Sequence, residues 1–156
     1  VSVGRPLLIG VGSLDAGDDA AGLLVARQVR GAAGFDVAEC AGVAADLVRL
    51  FEGRNRVLVV DACRSGAATG SVLRLDGLRD PLPAGLSPTS THGMGVAEAV
   101  GLAQALGMAP AKITIWAIEG ADFSLGAPLD PAVASAVARC ADEAAHGRWE
   151  IVPNQS

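Results

Sequence analysis

The sequence predicts an α/β fold: one three-layer α/β/α domain built on a mostly parallel, twisted sheet of about five strands. Three observations carry this. Short apolar runs that read as buried strands alternate along the chain with segments whose apolar residues recur at helical spacing. Glycines punctuate the joins between them. The 156 residues, 51% hydrophobic and only 19% charged, suffice for one sizeable core and call for no second domain. The domain is expected over residues 1–147, with a polar tail at 148–156.

The elements follow in order. Residues 6–11 give a short apolar run after Pro6, consistent with a strand buried on both faces. From Asp18 or Asp19 to Arg30, Ala20, Leu23, Leu24, Ala26 and Val29 mark a helix face, with acids at its start and Arg27 and Arg30 near its end, as the helix dipole favours. Gly31 and Gly34 end it. Residues 35–40 alternate like a half-exposed strand, and residues 44–51 form a short helix through Ala45, Leu47, Val48 and Leu50. Val57-Leu58-Val59-Val60 is the clearest buried strand, with Asp61 directly after it. Residues 71–75 alternate again and suit an edge strand or hairpin arm.

Residues 80–90 hold three prolines and no periodicity, and a loop of that length in a compact domain is usually functional or mobile. A helix is expected from about Gly93 to Leu106 with Gly107 as its stop, a strand over residues 112–118, and a last helix over residues 130–145 with Asp130 as N-cap and Pro131 in the first helical position.

Composition excludes several partners. Net charge is −5 and the 12 basic residues are scattered, so no basic stripe offers itself to nucleic acid. Apolar segments fall well short of the ~20 residues that span a bilayer, and no basic segment precedes a signal-like core, so a cytoplasmic protein with no membrane partner is expected. Cys40, Cys63 and Cys140 are odd in number and widely spaced, which fits reduced, buried thiols better than disulfides or a zinc knuckle.

The chemistry concentrates where the first strand turns into the first helix, Gly10-Val11-Gly12-Ser13-Leu14-Asp15-Ala16-Gly17-Asp18-Asp19-Ala20-Ala21-Gly22. A dinucleotide loop would hold an anion with small residues and helix-terminal N–H groups, but Asp15, Asp18 and Asp19 repel phosphate. A cation fits better. Asp19 follows the first strand, Asp61 ends the third, and His92 stands at the entrance to a later helix; parallel strands bring such ends to one edge. Two carboxylates and an imidazole suit a divalent ion such as nickel or zinc, with positions left open for substrate. Taken singly, Asp19 would suit a first helical turn, Asp61 an Asx cap, and His92 a place beside Thr91 as N-cap. Those preferences do not explain why all three fall at one edge. No nucleophile competes: Cys63 lacks a nearby histidine, His146 lies far along the chain, and no G-x-S-x-G exists.

These residues resemble the [NiFe]-hydrogenase maturation endopeptidases. The matching pieces are Leu8-Ile9-Gly10-Val11-Gly12 with Gly17-Asp18-Asp19-Ala20-Ala21-Gly22, Val59-Val60-Asp61-Ala62, Ser90-Thr91-His92-Gly93-Met94-Gly95, and Ile118-Glu119-Gly120-Ala121-Asp122-Phe123. The resemblance runs from about Leu7 to Ala145. It departs after the second strand, where the family usually shows a Gly-Thr pair and this chain has Ala41-Gly42-Val43-Ala44.

The resemblance implies an endopeptidase that clips the C-terminal extension from the precursor of a hydrogenase large subunit after nickel insertion. It implies Asp19, Asp61 and His92 as the metal-contacting and catalytic residues, and nickel as an ion supplied by the substrate precursor. The partner is then the nickel-loaded precursor, and the enzyme is expected to be a monomer. A carboxylate not engaged as ligand, such as Asp18, would take a proton from the attacking water. The same ligands would also serve a non-catalytic nickel-protein assembly chaperone. The turn glycines are expected to let a protein tail and its ion approach the backbone, and the 80–90 loop to border the site.

Overall fold

The computed structural model describes residues 4–32, 34–89 and 95–151. Its sheet has five strands: β1 (Leu7–Val11), β2 (Asp36–Cys40), β3 (Arg56–Cys63), β4 (Val72–Asp76) and β5 (Lys112–Glu119). They lie in the order β2-β1-β3-β5-β4, all parallel except β4, which runs antiparallel on β5 at the edge. Among the described residues four helices cover it: α1 (Ala21–Val29), α2 (Ala44–Phe51), α3 (Val96–Ala105) and α4 (Pro131–Ala145).

Successive residues of the central strands point to opposite faces, and both faces are covered. Ile9, Val57, Val59 and Ile115 pack with Leu47, Phe51, Val96 and Val100 of α2 and α3. Leu8, Leu58, Val60, Trp116 and Ile118 pack with Val25, Val29, Val133 and Val137 of α1 and α4. Residues 57–60 are all fully buried, which is why this run reads as continuously apolar. Full burial of each such valine or leucine contributes about 1.5–3 kcal/mol.

The element order and the edge position of β4 agree with the sequence, and three boundaries shift for physical reasons. The first helix begins as a 3₁₀ turn over Gly17–Ala20, because Gly17 sits at φ +58° and the Asp19 N–H reaches back to the Ala16 carbonyl. Strand β3 runs past Val60 to Cys63, since β5 continues alongside it and pairs Asp61 with Ala117 and Cys63 with Glu119. Trp149 is no part of a polar tail; it is buried and meets Phe35 with ring centroids 5.2 Å apart. Asp130 caps α4 as expected, its side chain accepting from the Ala132 N–H. Among the described residues, no helix is long and apolar enough to cross a membrane.

The glycines of the first turn serve packing and do not open the backbone to a ligand. A Cβ on Gly22 would lie 2.1 Å from the Val60 carbonyl oxygen and 2.5 Å from that of Val11. One on Gly10 would meet the Gly22 oxygen at 2.4 Å. Helix α1 therefore lies directly against β1 and β3, drawing Asp19 to the end of the sheet.

Candidate active site

From β1 the chain crosses to β2 on one side, then passes over to β3 on the other, so the carboxyl ends of β1 and β3 border the crevice where the winding reverses. Asp19 comes off β1, and Asp61 is carried on β3 itself. Both are buried, at 1% and 0% exposure. Burial pushes the Asp61 carboxyl up to about 7; the Ser87 hydroxyl and Ala62 N–H oppose this, while the negative charge of Asp19 adds to it. Burial also raises Asp19, against the Thr89 hydroxyl and the Ser13 N–H. The two carboxylates thus feel each other at one edge of the sheet.

The third predicted member, His92, lies outside the described residues, as do Ser90, Thr91, Gly93 and Met94. Among the described residues, no three His, Cys, Asp or Glu side chains form a metal-holding group.

Asp18 does not face this edge as the base expected of it. Its Oδ2 accepts from the N–H groups of Ala121 at 2.8 Å and Asp122 at 3.1 Å, and its Oδ1 from that of Asp130 at 2.8 Å. It pins the loop between β5 and α4 to the 3₁₀ turn. Asp15, at the start of that turn, is exposed.

Glu119 has a similar structural role at the end of β5. It accepts from Ser65 N–H and Oγ, from Ala67 N–H and from the Cys63 thiol. Burial works to raise its carboxyl, but these donors outweigh it and hold the group below its ordinary value. Burial and the Glu119 charge push the Cys63 thiol up to about 12, which disarms it as a nucleophile.

The residues that the sequence did not single out come from the aperiodic loop. Its segment 85–89 folds back along β3: Leu86 bridges Cys63, and the Ser87 N–H donates to the Ala62 carbonyl at 3.2 Å. Ser87 Oγ then donates to Asp61 Oδ2, and Thr89 Oγ1 donates to Asp19 Oδ2 at 2.8 Å. The loop therefore borders the site, as expected, and does so through hydroxyls. The signal available in the sequence was a Ser-Pro-Thr run just before Ser90-Thr91-His92.

An open groove of about 500 Å³ is lined by Glu39, Cys40, Ala41, Asp46, Arg49 and Leu50. It starts at the carboxyl end of β2, and Cys40 feels the charge of Asp61. Ala41, where the chain departs from the Gly-Thr pattern, lies on its wall. A cavity of about 130 Å³ between Asp76, Lys112 and Glu150 lies at the opposite end of the sheet, away from both acids.

A family model described as hydrogenase maturation protease matches residues 28–146, most of the chain. This chain belongs to the hydrogenase maturation proteases. The protease is accordingly a hydrolase of peptide bonds. Among solved structures, the [NiFe] hydrogenase maturation protease HybD from Thermococcus kodakarensis is similar at 25% identity and a TM-score of 0.69, covering 94% of this chain and 99% of that one. HycI from Thermococcus kodakarensis KOD1 gives 20% and 0.71, over 94% and 93% of the two chains. The hydrogenase maturating endopeptidase HybD from E. coli gives 19% and 0.70, over 90% and 89%. No curated protein matches the protease. The structural likenesses support the three-layer fold with its five-stranded sheet.

Proposed function

We propose that this protease removes the C-terminal extension of a [NiFe]-hydrogenase large-subunit precursor after nickel insertion, and reads the substrate-bound nickel through Asp19, Asp61 and His92. The observation that carries the reading is the pair of buried acids at the β1/β3 crevice. Burial disfavours their charged forms, and among the described residues no Lys or Arg makes an ion pair with either. A divalent ion arriving with the substrate would neutralise both at once, so tight docking depends on a loaded precursor. Carboxylate oxygens and an imidazole are donors that nickel accepts alongside substrate thiolates.

The ion would polarise the scissile carbonyl or lower the pKa of a bound water. The groove that begins at Cys40, which feels the charge of Asp61, would give an extended C-terminal segment room to lie along the same edge of the sheet. Mass spectrometry of a nickel-loaded precursor incubated with the protease tests this. Release of the C-terminal peptide is expected from wild type and not from Asp19→Asn, Asp61→Asn or His92→Ala, and nickel-free precursor is expected to stay intact. Undiminished cleavage by these variants, each with a wild-type melting temperature, would refute it.

A further inference from the structure

We propose that Ser87 and Thr89 are positioning residues for the reaction: two hydroxyls on one loop hold the Asp61 and Asp19 carboxylates in the arrangement that receives the substrate's ion. This inference rests on the reading that those carboxylates meet the ion.

The geometry at Ser87 is unusual and connected. Among the described residues it is the one non-glycine in the left-handed region, at φ +56°, and it is 7% exposed. An L-residue other than glycine, asparagine or aspartate is disfavoured there, and such conformations persist only where the surroundings enforce them. Here they do. The bridge from Leu86 to Cys63, the Ser87 N–H bond to Ala62 and the Arg64 N–H bond to the Gly85 carbonyl at 2.9 Å fasten the loop to β3. Pro88, with its φ fixed by the ring, then sets the direction in which Thr89 leaves.

Both oxygens of Asp61 have partners. A backbone N–H only donates, and that of Val96, at the start of α3, makes a long contact of 3.5 Å to Ser87 Oγ. The Ser87 hydroxyl donates to Asp61 Oδ2, and Asp61 Oδ1 accepts from the Ala62 N–H at 2.8 Å. Each oxygen of Asp61 has a fixed donor, so its plane is set. Thr89 does the same for one oxygen of Asp19. Because the two hydroxyls are two residues apart on a fastened segment, the positions of both acids are coupled through one piece of backbone. Partners that orient metal-contacting groups in this way typically change affinity or activity by about 10–100-fold when removed.

Three variants test the proposal. Ser87→Gly removes the hydroxyl and relieves the left-handed backbone, so folding is not compromised by strain. Thr89→Val removes the hydroxyl at nearly constant shape, and Thr89→Ser restores it. With nickel-loaded precursor as substrate, Ser87→Gly and Thr89→Val are expected to lower kcat/KM by about 10–100-fold at an essentially unchanged Tm, and Thr89→Ser to stay within about threefold of wild type. Wild-type turnover by Ser87→Gly and Thr89→Val, with Asp19→Asn and Asp61→Asn inactive, would overturn this inference and leave the proposed function standing. Activity that tracks Tm, with Thr89→Ser as impaired as Thr89→Val, would overturn it too. Cleavage by the two aspartate variants would instead remove the reading beneath it.

Discussion

Replacing Asp18 separates the two roles that adjacent aspartates in one turn could play. Its carboxylate is fully buried and accepts three backbone N–H groups, from Ala121, Asp122 and Asp130, while its own N–H donates to the Asp122 carbonyl at 2.9 Å. Hydrogen bonds to a charged group contribute about 1.5–3 kcal/mol each, so three give a ceiling of about 4–9 kcal/mol. The true cost lies lower, because Ala121 and Asp122 are exposed and water can reach their N–H groups once the carboxylate is gone. We expect Asp18→Ala to cost about 3 kcal/mol, which for a domain of this size lowers Tm by about 6–12 °C. Asp18→Asn keeps one acceptor oxygen but turns an NH₂ toward a donor, and should fall between the two.

The assay is thermal unfolding followed by circular dichroism, paired with cleavage of nickel-loaded precursor well below the lower Tm. The expected result is a large loss of stability with kcat changed by less than about tenfold, since Asp18 faces the loop between β5 and α4 and not the β1/β3 crevice. An Asp18→Asn variant with wild-type Tm and no cleavage would refute this reasoning and restore Asp18 as a proton acceptor in the reaction.

Two further outcomes follow from the packing and the buried charge. Gly22→Ala should destabilise the fold by about 3 kcal/mol or more, because its Cβ would press on the Val60 and Val11 carbonyls, whereas Gly101→Ala on α3, with nothing near its Cβ, should add about 0.5–1 kcal/mol; chemical denaturation of both decides, and equal effects would refute the close packing of α1. Without nickel, stability should fall as pH rises from about 4 through about 7, because Asp61 is an acid whose folded pKa lies above its unfolded value of 3.8, so charging it opposes folding by up to about 4 kcal/mol. Asp61→Asn should flatten that slope, and an unchanged pH profile in the variant would show that Asp61 is not its source.

The parallel strands and the acids at their ends were legible because both depend on local pattern. Val57 to Val60 reads as a buried strand wherever it lies in the sheet, and an aspartate directly after it reads as an edge residue. Strand order is a non-local property. Nothing near Asp19 or Asp61 in the sequence says that β1 and β3 are neighbours with the winding reversing between them, yet that neighbourhood is what makes the two carboxylates sense each other. Asp19 was picked out from its neighbour, but the part that Asp18 plays was not legible: in a 3₁₀ turn consecutive side chains leave in different directions, and only the position of the loop between β5 and α4 shows what Asp18 holds. Ser87 and Thr89 were hidden because they belong to no periodic element, and their meaning comes from the Leu86 bridge to Cys63.

The donors around each buried acid sort the acids by role. Asp18 is held by three backbone N–H groups, and Glu119 by two N–H groups, a hydroxyl and a thiol. Backbone donors in loops that the acid itself organises tie those carboxylates to the fold. Asp19 and Asp61 depend instead on one side-chain hydroxyl each, with a single neighbouring N–H apiece, and burial leaves both with a raised hold on a proton. Asp19 and Asp61 are therefore the buried acids with the fewest backbone donors, which is what the proposed contact with the substrate's ion requires. The four buried acids divide into two held by several donors in the loops they organise and two held by one hydroxyl and one N–H each, and under the proposed function it is the second pair, at the crevice where the winding of the sheet reverses, that meets the substrate's ion.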